Sequence, residues 1–199
     1  MHDTAAATGA AFFRVYGRAG ACVLDVGSAD VNGTLRPYAP PASQYIGVDR
    51  EPGPGVDIVN PDPYALPFAD GSFDLVVSTS CLEHDPVFWV TFAEMARVAK
   101  PGGFLYVSAP VNGPVHRHPW DCWRFYPDAA MALAGWASHC NEKLTVVESF
   151  LVPPQGDVWQ DFVAVFAKPA PGGEQGPPQP ERDRIMPLFP EAIDCRGDR

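Results

Sequence analysis

The sequence predicts an α/β domain: a mostly parallel sheet with an antiparallel last strand and helices on both faces. Three observations carry that expectation. Short apolar runs alternate with helical segments between Cys22 and Lys168, as in a parallel sheet covered on both sides. The first two runs end at glycine or aspartate, where strands of such sheets hand over to ligand-bearing loops. The last two runs are separated only by residues 152–160, a stretch with two prolines and a glycine. That is too short and too poor in helix formers for a parallel crossover, so this pair runs antiparallel.

In chain order, residues 21–26 form a compact apolar run stopping at Gly27, the pattern of a buried strand. Residues 45–49 form a second and residues 56–59 a weaker third. Residues 73–79 give the strongest strand, rich in β-branched side chains and entered through the turn Asp70-Gly71-Ser72. Pro86 stands where a first helical turn tolerates it, and residues 87–99 follow as a helix with Phe88, Phe92, Met95 and Ala99 on one face. Lys100-Pro101-Gly102-Gly103 stops that helix. Residues 104–108 form the next strand, 127–140 another helix, and 144–151 and 161–167 the final strands.

Composition bounds the function. The chain has 199 residues, 46% hydrophobic and 19% charged, enough for one sizeable domain. A formal charge of -10 leaves no long basic stripe, which argues against a dedicated nucleic-acid or anionic-membrane binder. Its apolar runs fall far short of the roughly 20 residues of a membrane span. The opening MHDTAAATGA lacks the basic and apolar blocks of a secretory signal. Cys22, Cys81, Cys122, Cys140 and Cys195 are scattered without a C-x-x-C pair, neither a disulfide framework nor a zinc cluster. The expected setting is reducing and cytoplasmic. Composition changes at Lys168, so residues 1–168 are read as the domain. Residues 169–199, with seven prolines and four glycines in 31 positions, are read as a loose arm carrying one apolar island at 185–190.

The chemistry begins at Val23-Leu24-Asp25-Val26-Gly27-Ser28-Ala29-Asp30. A carboxylate lies near a strand end, and a glycine follows where the chain turns and a ligand can approach the backbone. Asp49 follows 24 residues after Asp25, at the next strand end, where a carboxylate can accept both hydroxyls of a ribose. Each signal alone is weak, and their order makes them informative.

Four segments in that order resemble the class I S-adenosylmethionine-dependent methyltransferases, of the group labelled type 11. They are residues 23–30, residues 45–49, and residues 62–68 leading into 72–77. The fourth pairs Cys81-Leu82-Glu83-His84 with the K-P-G-G turn at 100–103. The resemblance covers about residues 22–168 and implies a Rossmann-like sheet with S-adenosylmethionine as cofactor. It places Asp25 near the methionine ammonium, with Gly27 and Ser28 along the cofactor. Asp49, with Arg50 beside it, falls on the ribose, Asp62 and Pro63 at the adenine, and Ser80 and Cys81 at the methionine end. Acids around a sulfonium cation are electrostatically reasonable.

Two departures accompany the resemblance. Ala29 and Val31 stand where the family alternates glycines, and Gly33 arrives late. Pro63 has no N–H to offer the adenine ring. Asp74, which begins its strand, and Glu94 with Arg97, three apart on a helix, are read as structural, the latter as a solvated pair.

Residues 109–127 hold two His, two Trp, two Arg, an Asp and a Tyr and follow the fifth strand, which places them beside the transferable methyl. The mixture suits a pocket with apolar walls and a few polar anchors, with Trp120, Asp121, Arg124 and Tyr126 expected to touch substrate. Trp123 and Phe125 are expected to be structural. His116, then His84 and His118, are the candidate general bases, and Asp121 a candidate orienter of a histidine. His116 and His118 without further close ligands make a weak site, so no metal is expected.

These residues imply methyl transfer to a small-molecule acceptor, in the first instance an oxygen on a sugar-containing or secondary-metabolite scaffold, as in natural-product biosynthesis. N- or C-methylation and a non-catalytic cofactor-binding module are the alternatives. A nicotinamide oxidoreductase would need a fuller Gly-x-Gly-x-x-Gly. No nucleic-acid or membrane partner is expected, and a homodimer stays open. A dimer-forming interaction protein on the same fold would have its groove plugged by Trp120 or by Leu188-Phe189.

Overall fold

A computed structural model describes residues 3–156, 158–170, 172 and 184–196. The chain folds as α1 (Asp3–Tyr16), β1 (Cys22–Val26), β2 (Gln44–Asp49), β3 (Ile58–Val59), β4 (Phe73–Thr79), α2 (Phe88–Val98), β5 (Ala99–Pro110), α3 (Ala129–His139), β6 (Thr145–Val152), β7 (Asp161–Ala167) and β8 (Ile193–Asp194). Short 3-10 turns lie between several of them. The sheet order is β3-β2-β1-β4-β5-β7-β6-β8. Strands β1 to β5 pair in parallel, and β7 is antiparallel to both β5 and β6. The expected fold class is the one observed.

Side chains alternate across the strands and so divide the core in two. Leu24, Val26, Val76, Leu105, Val107, Phe162 and Phe166 face Phe92 and Met95 of α2 and Leu133 and Ala137 of α3. Val23, Leu75, Val77, Phe104, Tyr106, Val163 and Val165 face Phe12, Phe13 and Tyr16 of α1. Burial of these large side chains contributes roughly 1.5–3 kcal/mol each against an exposed reference.

Four features differ from the sequence expectation. Helix α1 has no counterpart there, because an alanine-rich stretch with Thr4, Thr8 and Gly9 on its buried side shows little polar contrast between faces. Strand β5 begins at Ala99 instead of residue 104: the K-P-G-G turn lies within it, Gly102 at φ +82° turns the backbone, and the register with β4 shifts between Phe73 and Leu75. The Glu94–Arg97 pair is not a solvated pair. Arg97 also holds Asp70 and the Phe68 and Leu66 carbonyls, and Glu94 accepts the Leu66 amide, so the two pin the 65–70 loop onto α2. Asp74, in contrast, is structural as expected, accepting from Arg18, Lys100 and the Cys22 amide.

The fourth difference concerns the arm. Ile185 is fully buried against the α1 side of the sheet, and β8 pairs antiparallel with β6. The buried carboxylate of Glu148 accepts the Tyr16 hydroxyl and the amides of Ile185 and Met186. Residues 184–196 are thus part of the same packed body. Most of 171–183, and 197–199, lie outside the described residues.

Candidate active site

Parallel strands end along one edge, and the loops after β1, β2, β4 and β5 converge there. Between β1 and β2 the usual helix is reduced to a 3-10 turn at Arg36–Tyr38, and β2 reaches β3 through a tight Pro- and Gly-rich turn. This half of the edge is compact. Gly27 adopts φ +79°, and a Cβ added there would lie 2.2 Å from the Cys81 sulfur. The glycine therefore permits both the left-handed turn and the close approach of the loop after β4. Gly27 and Ser28 both donate their amides to the Val48 carbonyl.

Asp25 is buried and accepts the Tyr45 hydroxyl at 2.6 Å. Burial pushes its carboxyl up to about 6, against the pull of that hydroxyl and of Arg36. Asp49 accepts the Ala29 amide at 3.0 Å and the Arg50 amide at 2.7 Å, one on each oxygen. Its further lone pairs stay open to a ligand. Arg50 lies over the Trp120 ring, 5.5 Å from its centroid, and joins the two halves of the edge. Asp62 is exposed and accepts the Tyr64 amide beside half-buried Pro63. Ser80 adopts φ +49° and donates its amide to Ser108.

The other half is made by residues 81–85 and 110–127. The Glu83 carbonyl accepts the amides of Cys122 and Trp123, the Trp123 indole donates to the Asp85 carbonyl, and Phe125 is buried between Phe88 and Phe162. Phe125 is thus structural as expected, whereas Trp123 is partly exposed at the start of α2. Asp121 has a side chain only 2% exposed. It accepts both Arg124 guanidinium nitrogens and the His116 amide, and Arg124 holds the carboxyl well below its ordinary range. Asp121 and Arg124 are therefore spent on each other and on the loop. Trp120 and Tyr126, 46% and 66% exposed, are the anchors left open to a ligand.

All three candidate bases come together. The His84 ring lies 4.9 Å from that of His116 and 6.3 Å from that of His118, and Trp159 covers His116 at 4.6 Å. His84 Nδ1 is 2.5 Å from the Trp120 carbonyl. Only a protonated nitrogen can donate to a carbonyl, so the neutral ring keeps its lone pair on Nε2. Burial, reinforced by the neighbouring histidines, pushes His84 below the usual histidine range, so the neutral form is favoured. Asp121 lies 3.4 Å from His116 Nδ1, close but beyond a good hydrogen bond.

Two residues escaped the sequence reading. Tyr45 gives Asp25 its partner, and nothing in a strand-borne tyrosine signals that. Glu83 is fully buried, with no hydrogen-bond partner on either carboxylate oxygen, and Oε1 stands 3.7 Å from His84 Nε2. It sits inside a quoted motif, next to a candidate base, and that adjacency was the available signal.

The strand order, with β7 inserted antiparallel between β5 and β6 and carboxylates at the ends of β1 and β2, defines a Rossmann-like sheet. Residues 24–107 match the model of a methyltransferase domain family. That match and the relatives named methyltransferases support a class I S-adenosylmethionine-dependent methyltransferase. An uncharacterized methyltransferase of Mycobacterium marinum is 37% identical over 113 residues, 50% of this chain and 44% of that one. The chain thus spans less than half the length of that curated relative. Among solved structures, the 1,6-didemethyltoxoflavin-N1-methyltransferase of Burkholderia thailandensis superposes with TM-score 0.63, at 21% identity over 84% of this chain and 80% of that one. The cyclase SpnF superposes with TM-score 0.60, at 17% identity over 82% and 80%. At such identities the superpositions show the fold alone.

S-adenosylmethionine is the cofactor of this domain, and the residues present fit it. The buried hydroxyls of Ser28, Thr79 and Ser80 lack partners at the ends of β1 and β4, as a polar ligand there requires. Asp25, Asp49 and Asp85 make the edge acidic, which suits a cation. Ala29, Val31 and Pro63 subtract from the fit without filling the edge. Trp120 and Leu188, 46% and 45% exposed, do not plug it.

Proposed function

We propose that this chain methylates a small-molecule acceptor, at a hydroxyl on a sugar-containing or secondary-metabolite scaffold, as a step of natural-product biosynthesis in the cytoplasm. The observation that carries the reading is the gathering of His84, His116 and His118 beside the acidic cofactor edge. A hydroxyl nucleophile must lose its proton as it attacks, and an amine or a carbanion has less need of neutral imidazoles.

When bound, the cofactor supplies an activated methyl on a sulfonium leaving group. The chain's own residues align, shield and deprotonate. Asp25 and Asp49 hold the nucleoside and its positive charge. The Trp120 and Trp159 rings, with Tyr126, wall the acceptor side and exclude water. The histidine cluster takes the acceptor proton, with the Trp120 carbonyl holding His84 in the tautomer that exposes Nε2.

The test is calorimetry of the chain with S-adenosylmethionine, S-adenosylhomocysteine and NAD, followed by turnover on hydroxyl-bearing acceptors read as S-adenosylhomocysteine release. Binding of the first two but not NAD, with turnover that drops at least about tenfold in His84→Ala or His116→Ala, supports the reading. Normal turnover in His116→Ala with saturating cofactor removes that residue from the cluster's work. A second reading, a module that holds the nucleoside without turnover, is favoured by Ala29, Val31 and Pro63. It predicts binding and no product on any acceptor.

A further inference from the structure

Glu83 is costly as it stands. A carboxylate removed from water without a hydrogen bond is among the most unfavourable groups a fold can hold. Burial pushes it up to about 8 against the pull of its own backbone amide and of Arg124, with Asp161 and Asp121 adding to the rise. Two histidines stand beside it. One oxygen of Glu83, one ring nitrogen of His84 and one of His116 lie within 4.8 Å of one another.

We propose that Glu83, His84 and His116 bind a divalent first-row transition metal ion of the zinc type at the edge where β4 and β5 end. Two imidazoles and one carboxylate are a donor set that selects zinc or iron(II) over the oxygen-seeking magnesium and calcium. The supports for such a site are also present. The Trp120 carbonyl receives the other nitrogen of His84, the arrangement that directs a ligand's lone pair at a metal. The His116 amide is anchored on Asp121. Asp161 and Asp121 keep the surroundings negative. Ligands now up to 4.8 Å apart close to a coordination sphere by side-chain rotation, since metal–ligand bonds are about 2.0–2.2 Å.

Three protein ligands leave a coordination position open for an acceptor. An acceptor hydroxyl bound there is held as its alkoxide by the ion, the proton leaving to His118 or to water. His84 and His116 then act as ligands and His118 as the base. That acceptor role rests on the proposed methyl transfer, whereas the ion site does not.

The experiment uses the full chain, stripped with a chelator and titrated with Co2+ while the visible absorption is followed, then with Zn2+ in competition. One equivalent of Co2+ giving visible bands that Zn2+ abolishes, with Mg2+ without effect, is the expected result. Glu83→Gln and His116→Ala should each weaken Co2+ binding by about tenfold or more, loss of a ligand costing at least what loss of a supporting partner does. Cys122, exposed and next to the site, is controlled by Cys122→Ser, which should leave the bands unchanged. Thermal unfolding separates a lost site from a lost fold. Without metal, Glu83→Gln should melt no lower than the parent because it replaces a buried acid already kept neutral with a neutral side chain of the same shape, while the rise in melting temperature on adding Zn2+ should disappear. The absence of Co2+ bands in the parent overturns the proposal, as do equal affinities in parent and Glu83→Gln. S-adenosylhomocysteine binding without metal binding sinks only the ion, and metal binding without S-adenosylhomocysteine binding sinks only the methyl-transfer reading.

Discussion

The two halves of the sheet edge are built on different principles. Around β1 and β2 the contacts are of shorter range, between the loops that follow adjacent strands: Asp49 takes the amides of Ala29 and Arg50, and the Asp30 amide donates to Pro54. Around β4 and β5 they are distant: His84 meets Trp120, Trp123 meets Asp85, and the Glu83 carbonyl receives Cys122 and Trp123. The first half is set by short backbone connections and carries the carboxylates that fit the cofactor. The second is a docked loop whose polar groups mostly satisfy one another, and the proposed function assigns it to the acceptor. Damage to the first half should therefore appear as lost stability and cofactor affinity, and damage to the second as lost turnover.

Gly27→Val tests the first half most severely. The new side chain meets Cys81 at a backbone angle that disfavours it, at a combined cost of about 2–5 kcal/mol. Urea unfolding should show the loss. Gly27→Ala combined with Cys81→Gly, which removes both the sulfur and the Cβ that the new methyl would meet, should recover the packing part and not the backbone part. Full recovery would mean that the turn tolerates any residue at this backbone angle.

The second half is tested by Asp121→Asn. It keeps the shape and removes the charge that holds Arg124 and His116, a loss of about 1.5–3 kcal/mol of loop ordering before discount for Arg124's partial exposure. Hydrogen exchange in residues 114–124 should accelerate and turnover should fall, with cofactor affinity unchanged. An equal fall in cofactor affinity would show that the halves act as one.

Asp25 sharpens the comparison through pH. Its carboxyl, raised to about 6 by burial, is neutral below that pH and charged above it, with Tyr45, Arg36 and Asp49 the groups that face it. Affinity for the sulfonium cofactor should fall about tenfold between pH 7.5 and pH 5, and the slope should vanish in Asp25→Asn. The contribution to stability has the opposite sense. The folded chain keeps a proton that the unfolded chain releases between the ordinary 3.8 and about 6. Stability without cofactor therefore falls as pH rises through that window and is flat above it.

What the sequence made legible follows the same division. Asp25, Gly27 and Asp49 lie in short runs where strand, turn and ligand-facing carboxylate are consecutive, so periodicity and punctuation were enough. The strands 73–79 and 161–167 were bounded to the residue because β-branched and aromatic residues end sharply at turn formers. Helix α1 was illegible because its buried face is small and partly polar. The orphaned carboxylate of Glu83 was illegible for another reason. Its surroundings depend on where a loop lands about 40 residues along the chain, and spacing carries no information about that.

Pro63 gives the finest test. It sits between Asp62 and Tyr64, whose amide bonds the Asp62 carboxylate, just before the 65–70 loop that Arg97 and Glu94 staple to α2, so its position is held by neighbours and not by its own ring. Pro63→Ala restores an N–H at the adenine side without moving the loop. One added neutral hydrogen bond is worth about 0.5–1.5 kcal/mol, a gain in cofactor affinity of about two- to tenfold by calorimetry. The backbone freedom that proline withheld from the unfolded chain returns as well, so the cofactor-free protein should melt slightly lower. Tighter binding in a less stable chain would mark the amide as a true ligand group. Unchanged affinity would mean that the adenine lies away from residue 63 and that Asp62 has no part in holding it.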